Sequence, residues 1–284
     1  MSCGMSSNFD DIRKAADQGD ADAQFSLGNA YYFGNGVAAD LEESVQWYRK
    51  AADQGNNQAQ CYLGNSYYRG EGVAKDPVEG VKWFRKSADQ GDDQAQCYLG
   101  YAYYAGEGLA KDLVESVKWF RKAAEQGNAQ AQFSLGNAYS RGNGVAEDQS
   151  EAVKWFQKAA KQGNARAQFN LGSAYSRGEG LEKDQVKAVK WYRKAAEHGV
   201  AEAQFNLGLA YDTGEGVAKN EVKAVKWYRK AAEQGAARAQ CSLGLAYYYG
   251  HGVAEDLEEA LEWFLLAAER GDADAQEWFQ ILTQ

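Results

Sequence analysis

Residues 21–56 read ADAQFSLGNAYYFGNGVAADLEESVQWYRKAADQGN, and close copies of this segment follow one another along the chain. The spacing is a constant 36 residues, and no insertion or deletion interrupts it. Gln24 thereby returns as Gln60, Gln96, Gln132, Gln168, Gln204, Gln240 and Gln276. A fixed period of this size indicates an array of like supersecondary units, because one such unit cannot bury its own apolar face.

Each copy predicts a helical hairpin. The segment Ala21–Phe33 has helical periodicity and ends before Gly34, since glycine readily adopts the left-handed conformation that closes a helix. After the loop, Asp40 is placed to cap a second helix, and Glu43 three residues later completes a capping box. The second helix runs to about Gln54. We call the first helix of each copy helix A and the second helix B.

The array accounts for almost the whole chain. Seven complete copies span 21–272; an N-terminal half-repeat at 8–20, with a helix near Asn8–Gln18, precedes them, and a C-terminal half-repeat or cap at 273–284 follows. We therefore predict an all-α fold of sixteen helices in a single solenoid domain, 1–284, in which each repeat contacts its neighbours.

Composition limits the classes of partner and compartment. The hydrophobic share is 45%, with one proline and no apolar run long enough to cross a bilayer, which is typical of a soluble helical protein. The formal net charge of −9 argues against nucleic acid or an anionic membrane as the partner, because both attract basic surfaces. The first residues lack the basic and apolar segments of a secretory signal, which favours the cytoplasm.

Three of the four cysteines share one column of the repeat. Cys61, Cys97 and Cys241 stand where the other full copies have Phe25, Phe133, Phe169 and Phe205. Equivalent helices of stacked repeats lie at least roughly 8–10 Å apart, which is beyond the reach of a relaxed disulfide. We predict small buried thiols.

One arc of helix A is nearly constant between copies. Positions 24, 27, 28 and 31 fall within about 100° of the helical wheel and predict the inward face. Gly28 costs about 1 kcal/mol relative to alanine in mid-helix, so we expect another backbone to approach it closely. Helix B contributes a tryptophan column that we expect in the inter-helix core, and a lysine column, beginning at Lys50, that we expect in solvent. The tryptophans are Trp47, Trp83, Trp119, Trp155, Trp191, Trp227 and Trp263.

The order of the recurring residues resembles the Sel1-like repeat. The string Ala-x-Ala-Gln-Phe-x-Leu-Gly-x-x-Tyr-x-x-Gly-x-Gly-Val-x-x-Asp, followed by Ala-Val-Lys-Trp-Phe/Tyr-x-Lys-Ala-Ala-x-Gln-Gly, carries the resemblance over nearly the whole chain. It implies a right-handed α/α superhelix whose A helices line the concave side, in proteins that act mostly as adaptors. A secreted branch of the family has paired cysteines in each repeat; here the first position of the pair is never cysteine, which favours a reducing compartment.

A second arc of helix A, opposite the inward face, holds positions 22, 26, 29 and 33, which vary most between copies. Tyrosine and arginine, the residues enriched at interface hot spots, are unevenly distributed along it. We predict that this arc forms a concave protein-binding groove. Its candidate contact residues, called the A-helix stripe below, are Tyr62, Arg69, Tyr98, Tyr101, Arg141, Arg166, Arg177, Leu209, Arg238, Leu245 and Tyr249.

The stripe predicts a partner peptide or helix that carries acidic groups. These groups would meet Arg141, Arg166 and Arg177 in charge-assisted hydrogen bonds, while an apolar side chain anchors among the three tyrosines at positions 62, 98 and 101. The alternative without function is an exposed helix face that drifts, since scattered surface aromatics are common.

Two other function classes remain open. A helical-repeat binder of single-stranded RNA could use the same tyrosines and arginines, but these do not recur in one column and the chain lacks a basic surplus. A hydrolase-type enzyme is disfavoured, because the only histidines, His198 and His251, lie in different repeats and no Cys, His or carboxylate cluster has metal-ligand spacing. We expect no catalytic residue, no metal and no cofactor.

The last helix A has no helix B after it in this sequence. It carries Trp278, Phe279, Ile281 and Leu282, part of which must cover the seventh copy. Apolar surface left over there would favour weak end-to-end self-association.

Overall fold

A computed structural model describes the backbone of residues 3–283 and the side chains of residues 9–283. Over this range the chain forms sixteen α-helices and no strand, as predicted. The first helix begins at Cys3 rather than near Asn8, where the repeat pattern on which the prediction depended begins. In chain order the helices are α1 Cys3–Asp17, α2 Ala21–Phe33, α3 Leu41–Asp53, α4 Asn57–Arg69, α5 Pro77–Asp89, α6 Asp93–Ala105, α7 Leu113–Glu125, α8 Ala129–Arg141, α9 Gln149–Lys161, α10 Ala165–Arg177, α11 Gln185–Glu197, α12 Ala201–Thr213, α13 Glu221–Glu233, α14 Ala237–Tyr249, α15 Leu257–Glu269 and α16 Ala273–Thr283.

Inter-residue contacts group the chain into two compact units, residues 1–147 and residues 148–284. Unit 1 contains α1 to α8 and unit 2 contains α9 to α16, with the A helices even-numbered and the B helices odd-numbered. Within each unit, helix A packs on helix B of its own copy, and helix B packs on helix A of the next copy. A single domain that includes both units stays a prediction.

The aspartate caps of the B helices form as predicted, but the capping box of the first copy does not. The Asp40 carboxylate accepts a hydrogen bond from the Glu43 N–H at 3.0 Å. The Asp40 N–H donates to the carbonyl oxygen of Tyr31 at 2.9 Å, and the Glu43 carboxylate instead accepts from Trp47 Nε1 at 2.9 Å. A returning loop therefore satisfies the N–H that the box would have used. Copies with lysine at the glutamate position, such as Lys187, lose no cap.

The mid-helix glycine of helix A accommodates a ring rather than chiefly a backbone. A methyl group on Gly28 would lie 2.6 Å from Cδ1 of Tyr48 and 3.3 Å from the Ser44 carbonyl oxygen. The same relation holds at Gly64 with Phe84, at 2.7 Å. Each of these copies therefore lays an aromatic ring of helix B across the glycine of its own helix A.

The recurring Gln24 column holds consecutive copies together. Gln24 Nε2 donates to the Ala16 carbonyl oxygen at 3.1 Å, at the end of the preceding helix B, and Gln24 Oε1 accepts from Gln54 Nε2 at 2.7 Å. Gln60 makes the same two bonds with Ala52 and Gln90, at 3.0 Å and 2.8 Å. Both polar atoms of a buried side chain are thereby satisfied, which explains why glutamine recurs on an otherwise apolar face.

Two copies in unit 2 lack the second glutamine of this ladder. His198 and Arg270 occupy its position. The missing donors would have bonded to Gln168 and Gln240, whose side chains are 3% and 2% exposed. The Oε1 atoms of these two glutamines have no hydrogen-bond partner among the described residues. Where the ladder is complete, Gln234 Nε2 donates to Gln204 Oε1 at 2.7 Å.

We expect His198→Gln to stabilise unit 2 by about 1–3 kcal/mol, because it supplies a donor to a buried, unpaired acceptor. Urea unfolding followed by circular dichroism measures the change. The matched control is Gln234→Ala, which should cost a similar amount by removing the donor to Gln204. Equal midpoints for all three proteins would show that the ladder does not stabilise the stack.

The tryptophan column is buried in unit 1, and lysines cover it. Trp83 is 5% exposed and packs with Val45, Tyr48 and Leu63 of the neighbouring helices. The ammonium of Lys86 lies 3.7 Å from the centroid of the Trp83 ring, a cation–π contact. The prediction that the lysine column only faces solvent is therefore incomplete. The corresponding contacts in unit 1 are Lys50 on Trp47 at 3.6 Å and Lys122 on Trp119 at 4.0 Å.

The cysteine prediction is confirmed for Cys61, Cys97 and Cys241, which are buried and form no disulfide. Burial raises the pKa of the Cys97 and Cys241 thiols to about 12. These thiols are neutral, packed side chains rather than reactive nucleophiles.

Candidate protein-binding surface

The A-helix stripe lies on the surface of both units. Seven of its members are exposed: Arg69, Arg141, Arg166, Arg177, Leu209, Arg238 and Tyr249. Four are half-buried: Tyr62, Tyr98, Tyr101 and Leu245. None of the eleven is a core residue, so all are accessible to a partner. Their role in binding stays a prediction.

In unit 1 the stripe residues Tyr62 and Tyr98 pack against aromatic rings of neighbouring helices. The Tyr62 ring lies 5.3 Å from the Tyr48 ring and 5.5 Å from the Phe25 ring, between centroids. The Tyr98 ring lies 5.0 Å from the Phe84 ring. Ring pairs at these separations are stabilising and hold both partners in place. The tyrosines are therefore positioned before any partner arrives.

Tyr101 is tied to helix α8. Its hydroxyl lies 2.5 Å from Ser134 Oγ and accepts a hydrogen bond from Gln130 Nε2 at 2.6 Å. Its ring meets Phe120 edge-on, 4.9 Å between centroids. These contacts fix the side chain of Tyr101, and its ring is the part that a partner can contact.

A cavity of about 530 Å³ lies between the A helices α2, α4 and α6 of unit 1. Three stripe residues line it, Tyr62, Arg69 and Tyr98. Two further lining residues, Asp92 and Asp93, were not predicted from the sequence. We call this cavity the unit 1 pocket.

The two aspartates begin helix α6. The Asp92 carboxylate caps the helix, accepting from the Ala95 N–H at 2.7 Å, and burial raises the pKa of this carboxyl group. The Asp93 carboxylate accepts from Asn128 Nδ2 at 2.9 Å. A signal for Asp93 existed in the sequence, since five of the other six full copies have alanine at this position.

A larger cavity of about 760 Å³ lies in unit 2 and contains three stripe residues, Arg177, Leu209 and Arg238. Phe169 and Phe205 supply aromatic surface. The Arg238 guanidinium lies 4.7 Å from the centroid of the Phe205 ring, a cation–π contact that fixes its position. We call this cavity the unit 2 pocket.

The last two stripe residues line a smaller cavity of about 220 Å³ in unit 2. These residues are Leu245 and Tyr249. The Tyr249 ring stacks on the His251 ring, 5.5 Å between centroids, and meets Trp278 edge-on at 6.0 Å. Tyr249 is therefore held by the loop that follows it and by the last helix.

The stripe arginines differ in whether they already have an acidic partner. Arg69 pairs with Glu71 at 3.7 Å, and Arg177 pairs with Glu179 at 3.1 Å. Arg141, Arg166 and Arg238 form no ion pair with any described residue. Arg141, Arg166 and Arg238 are therefore the stripe arginines whose guanidinium groups can pair with acidic groups of a partner.

The last helix, α16, covers the seventh copy with most of its apolar residues. Trp278 stacks on Phe264 with 5.9 Å between ring centroids, and Phe279 and Leu282 pack against the same cluster. Ile281 is 57% exposed. Self-association through this end of the chain stays a prediction.

Two other kinds of site are absent from the described residues. Between residues 9 and 283, no group of three or more His, Cys, Asp or Glu side chains is arranged to hold a metal ion. None of the helices from Cys3 to Thr283 has the length and apolar character that crossing a bilayer requires.

Comparison with known proteins identifies the family. The Sel1 repeat model matches residues 21–56, 57–92, 93–128, 129–164, 165–200, 201–235 and 237–272. The chain therefore belongs to the Sel1-like repeat family and is an α-solenoid of helical repeats. Proteins of this family are commonly scaffolds for protein–protein interaction and are generally not enzymes.

Two solved structures resemble the chain over nearly its whole length. A protective antigen of uropathogenic Escherichia coli that displays an SLR fold is 40% identical, with a TM-score of 0.90 over 96% of this chain and 59% of that one. A Sel1 repeat protein from Oxalobacter formigenes is 36% identical, with a TM-score of 0.75 over 95% of this chain and 78% of that one. The chain thus spans 59% of the length of the E. coli antigen. A search of the curated proteins finds no match.

Proposed function

We propose that this chain is a non-enzymatic scaffold that binds a peptide or helix of another protein on the concave face formed by its A helices. Acidic groups of that partner meet stripe arginines, and an apolar side chain of the partner enters a pocket between A helices. Family membership supports the general role, and the distribution of exposed rings and guanidinium groups supports the surface.

The observation that carries this proposal is the unit 2 pocket. It combines an apolar wall, Phe169, Phe205 and Leu209, with the guanidinium of Arg238. Interface hot spots combine desolvated aromatic surface with a directed polar group in the same way. Its volume of about 760 Å³ is within the range of cavities that enclose a ligand group.

In unit 2, the stripe arginines without an acidic partner are Arg166 and Arg238. An arginine stacked on a ring keeps the edge of its guanidinium available, and this edge presents N–H groups that match a carboxylate. Arg177 offers less, because Glu179 already accepts from it at 3.1 Å. Glu202 and Glu215 also line the pocket, so we expect the partner to carry mixed charge around its acidic group.

Selection of peptides from a random display library on the full chain, followed by titration of a selected peptide, tests this function. We expect selected peptides to combine an acidic residue with an aromatic or large aliphatic one. Arg166→Ala with Arg238→Ala should weaken the peptide by about tenfold to a hundredfold and reduce the dependence of its affinity on salt concentration.

The matched comparison is Arg177→Ala, which removes an arginine that is already paired with Glu179. It should change the affinity for the peptide less than the double variant at Arg166 and Arg238 does. The triple variant at positions 141, 166 and 177 extends the test to unit 1. Unchanged affinity and salt dependence in the Arg166 and Arg238 double variant would refute recognition of acidic groups by the stripe.

A further inference from the structure

We propose that the unit 1 pocket binds a cationic side chain, lysine or arginine, of a partner protein. This inference rests on the proposed function and names the chemistry that one of its pockets recognises. It differs from the expectation that an apolar side chain of the partner anchors at the stripe tyrosines of unit 1, because Asp92 and Asp93 line this pocket together with Tyr62 and Tyr98.

The first support is a difference between copies in the position of the aromatic residue near the start of helix A. Four full copies have phenylalanine followed by serine or asparagine at this place, and the seventh has cysteine followed by serine. The second and third copies instead have Cys61-Tyr62 and Cys97-Tyr98. The cysteines are buried, and the tyrosines are half-buried at the pocket. These two copies thus place their ring one residue further around helix A, at the surface.

The second support is the charge of the lining. Arg69, Asp92 and Asp93 are its charged residues, and Arg69 is paired with Glu71 at 3.7 Å. Neither aspartate forms an ion pair with a described cation. Two carboxylates without a cationic partner therefore line a cavity of about 530 Å³ together with the rings of Tyr62 and Tyr98. A cation entering there gains a charge-assisted hydrogen bond and a cation–π contact at once.

The state of Asp92 agrees with this assignment. Its carboxyl group is half-buried, and desolvation raises its pKa. A raised pKa means that the surroundings do not fully compensate the ionised form. A bound ammonium or guanidinium group would supply that compensation.

Helix stabilisation alone does not account for both acids. Asp92 is the N-cap of α6, and most A helices have an aspartate or asparagine at the equivalent cap. Asp93 stands one residue later, where an acid would favour the dipole of any A helix. Five of the other six full copies nevertheless have alanine there. Among the full copies, only the third has an aspartate at this position, and the Tyr98 ring of the same copy lines the pocket.

Titration of the ¹⁵N-labelled full chain with the blocked tripeptide acetyl-Ala-Arg-Ala-amide tests the assignment. We expect amide shifts grouped on α4 and the first turns of α6. The tripeptide with citrulline, which keeps the shape but not the charge, and the tripeptide with glutamate should bind at least about tenfold more weakly. Equal binding of the citrulline tripeptide, or no shifts with the arginine tripeptide, would overturn the assignment.

Two variants use residues that the array itself contains elsewhere. Asp93→Ala installs the commonest residue of its column, and the double variant Cys61→Phe with Tyr62→Ser installs the pair Phe25-Ser26 of the first copy. Each should weaken the arginine tripeptide about fivefold to tenfold while the thermal melt stays cooperative. Glu262→Ala is the control, because Glu262 is exposed on α15 and lines none of the pockets described above, so this variant should leave the affinity for the tripeptide unchanged.

Unchanged affinity in either Asp93→Ala or the double variant would contradict the inference. The general function can fail separately, because its test uses peptides selected on the whole chain and the arginines Arg166 and Arg238. If those peptides bind and the arginine tripeptide does not, the scaffold role stands and the cationic pocket is wrong.

Discussion

Replacing Trp83 by alanine is expected to destabilise unit 1 by about 3–5 kcal/mol. The side chain is 5% exposed and packs with Val45, Tyr48 and Leu63, so it joins the helices of the first copy to those of the second. Trp83 Nε1 has no hydrogen-bond partner among the described residues, and truncation therefore removes packing without breaking a hydrogen bond. Because each repeat contacts its neighbours, we also expect the unfolding transition to broaden.

Urea unfolding followed by circular dichroism measures both effects. Lys86→Ala is the control, because it removes the side chain whose ammonium lies 3.7 Å from the Trp83 ring but leaves the ring in place, and it should cost about 0.5–1 kcal/mol. A melt of Trp83→Ala that coincides with that of the wild type would show that the tryptophan column does not hold the repeats together.

The repeat period predicted much of the fold, because each copy repeats the same local signals. Gly34 after helix A and Asp40 before helix B are end signals that act within a few residues, and both act as predicted. The second half of the capping box was wrong for a reason that is not local. The N–H of Asp40 reaches the Tyr31 carbonyl oxygen across a loop, and the sequence motif does not encode this contact.

The stripe could be predicted from helical geometry, but its pockets could not. Positions opposite the constant face of helix A were expected at the surface, and no stripe residue is a core residue, although four of the eleven are half-buried and Ser173, in the same arc, is only 7% exposed. Which residues line one cavity depends on how consecutive copies are offset along the stack. In unit 1, this offset brings the end of α2 and the start of α6 to the sides of Tyr62, and so places Asp92 and Asp93 beside it. A single copy carries no information about that neighbour.

A second large loss of stability is expected for Gly72→Ala, at about 3–5 kcal/mol. Gly72 has φ +69°, which a residue with a side chain rarely adopts, and an added methyl carbon would lie 2.1 Å from the Leu41 carbonyl oxygen. Leu41 begins helix α3 of the first copy, so the loop of the second copy rests directly on that helix. Backbone cannot move aside as a flexible side chain would, and the two copies must separate.

Gly55→Ala separates the two causes. Gly55 has φ +93°, and an added methyl carbon would meet no atom within 4 Å, so this variant should cost only the conformational strain of about 1–2 kcal/mol. The excess loss in Gly72→Ala is then the contact between copies. The first two copies also supply α2 and α4 to the unit 1 pocket. Gly72→Ala should therefore weaken binding of the arginine tripeptide, and Gly55→Ala should not. Equal stability of the two variants would show that this loop contact does not set the spacing of the repeats.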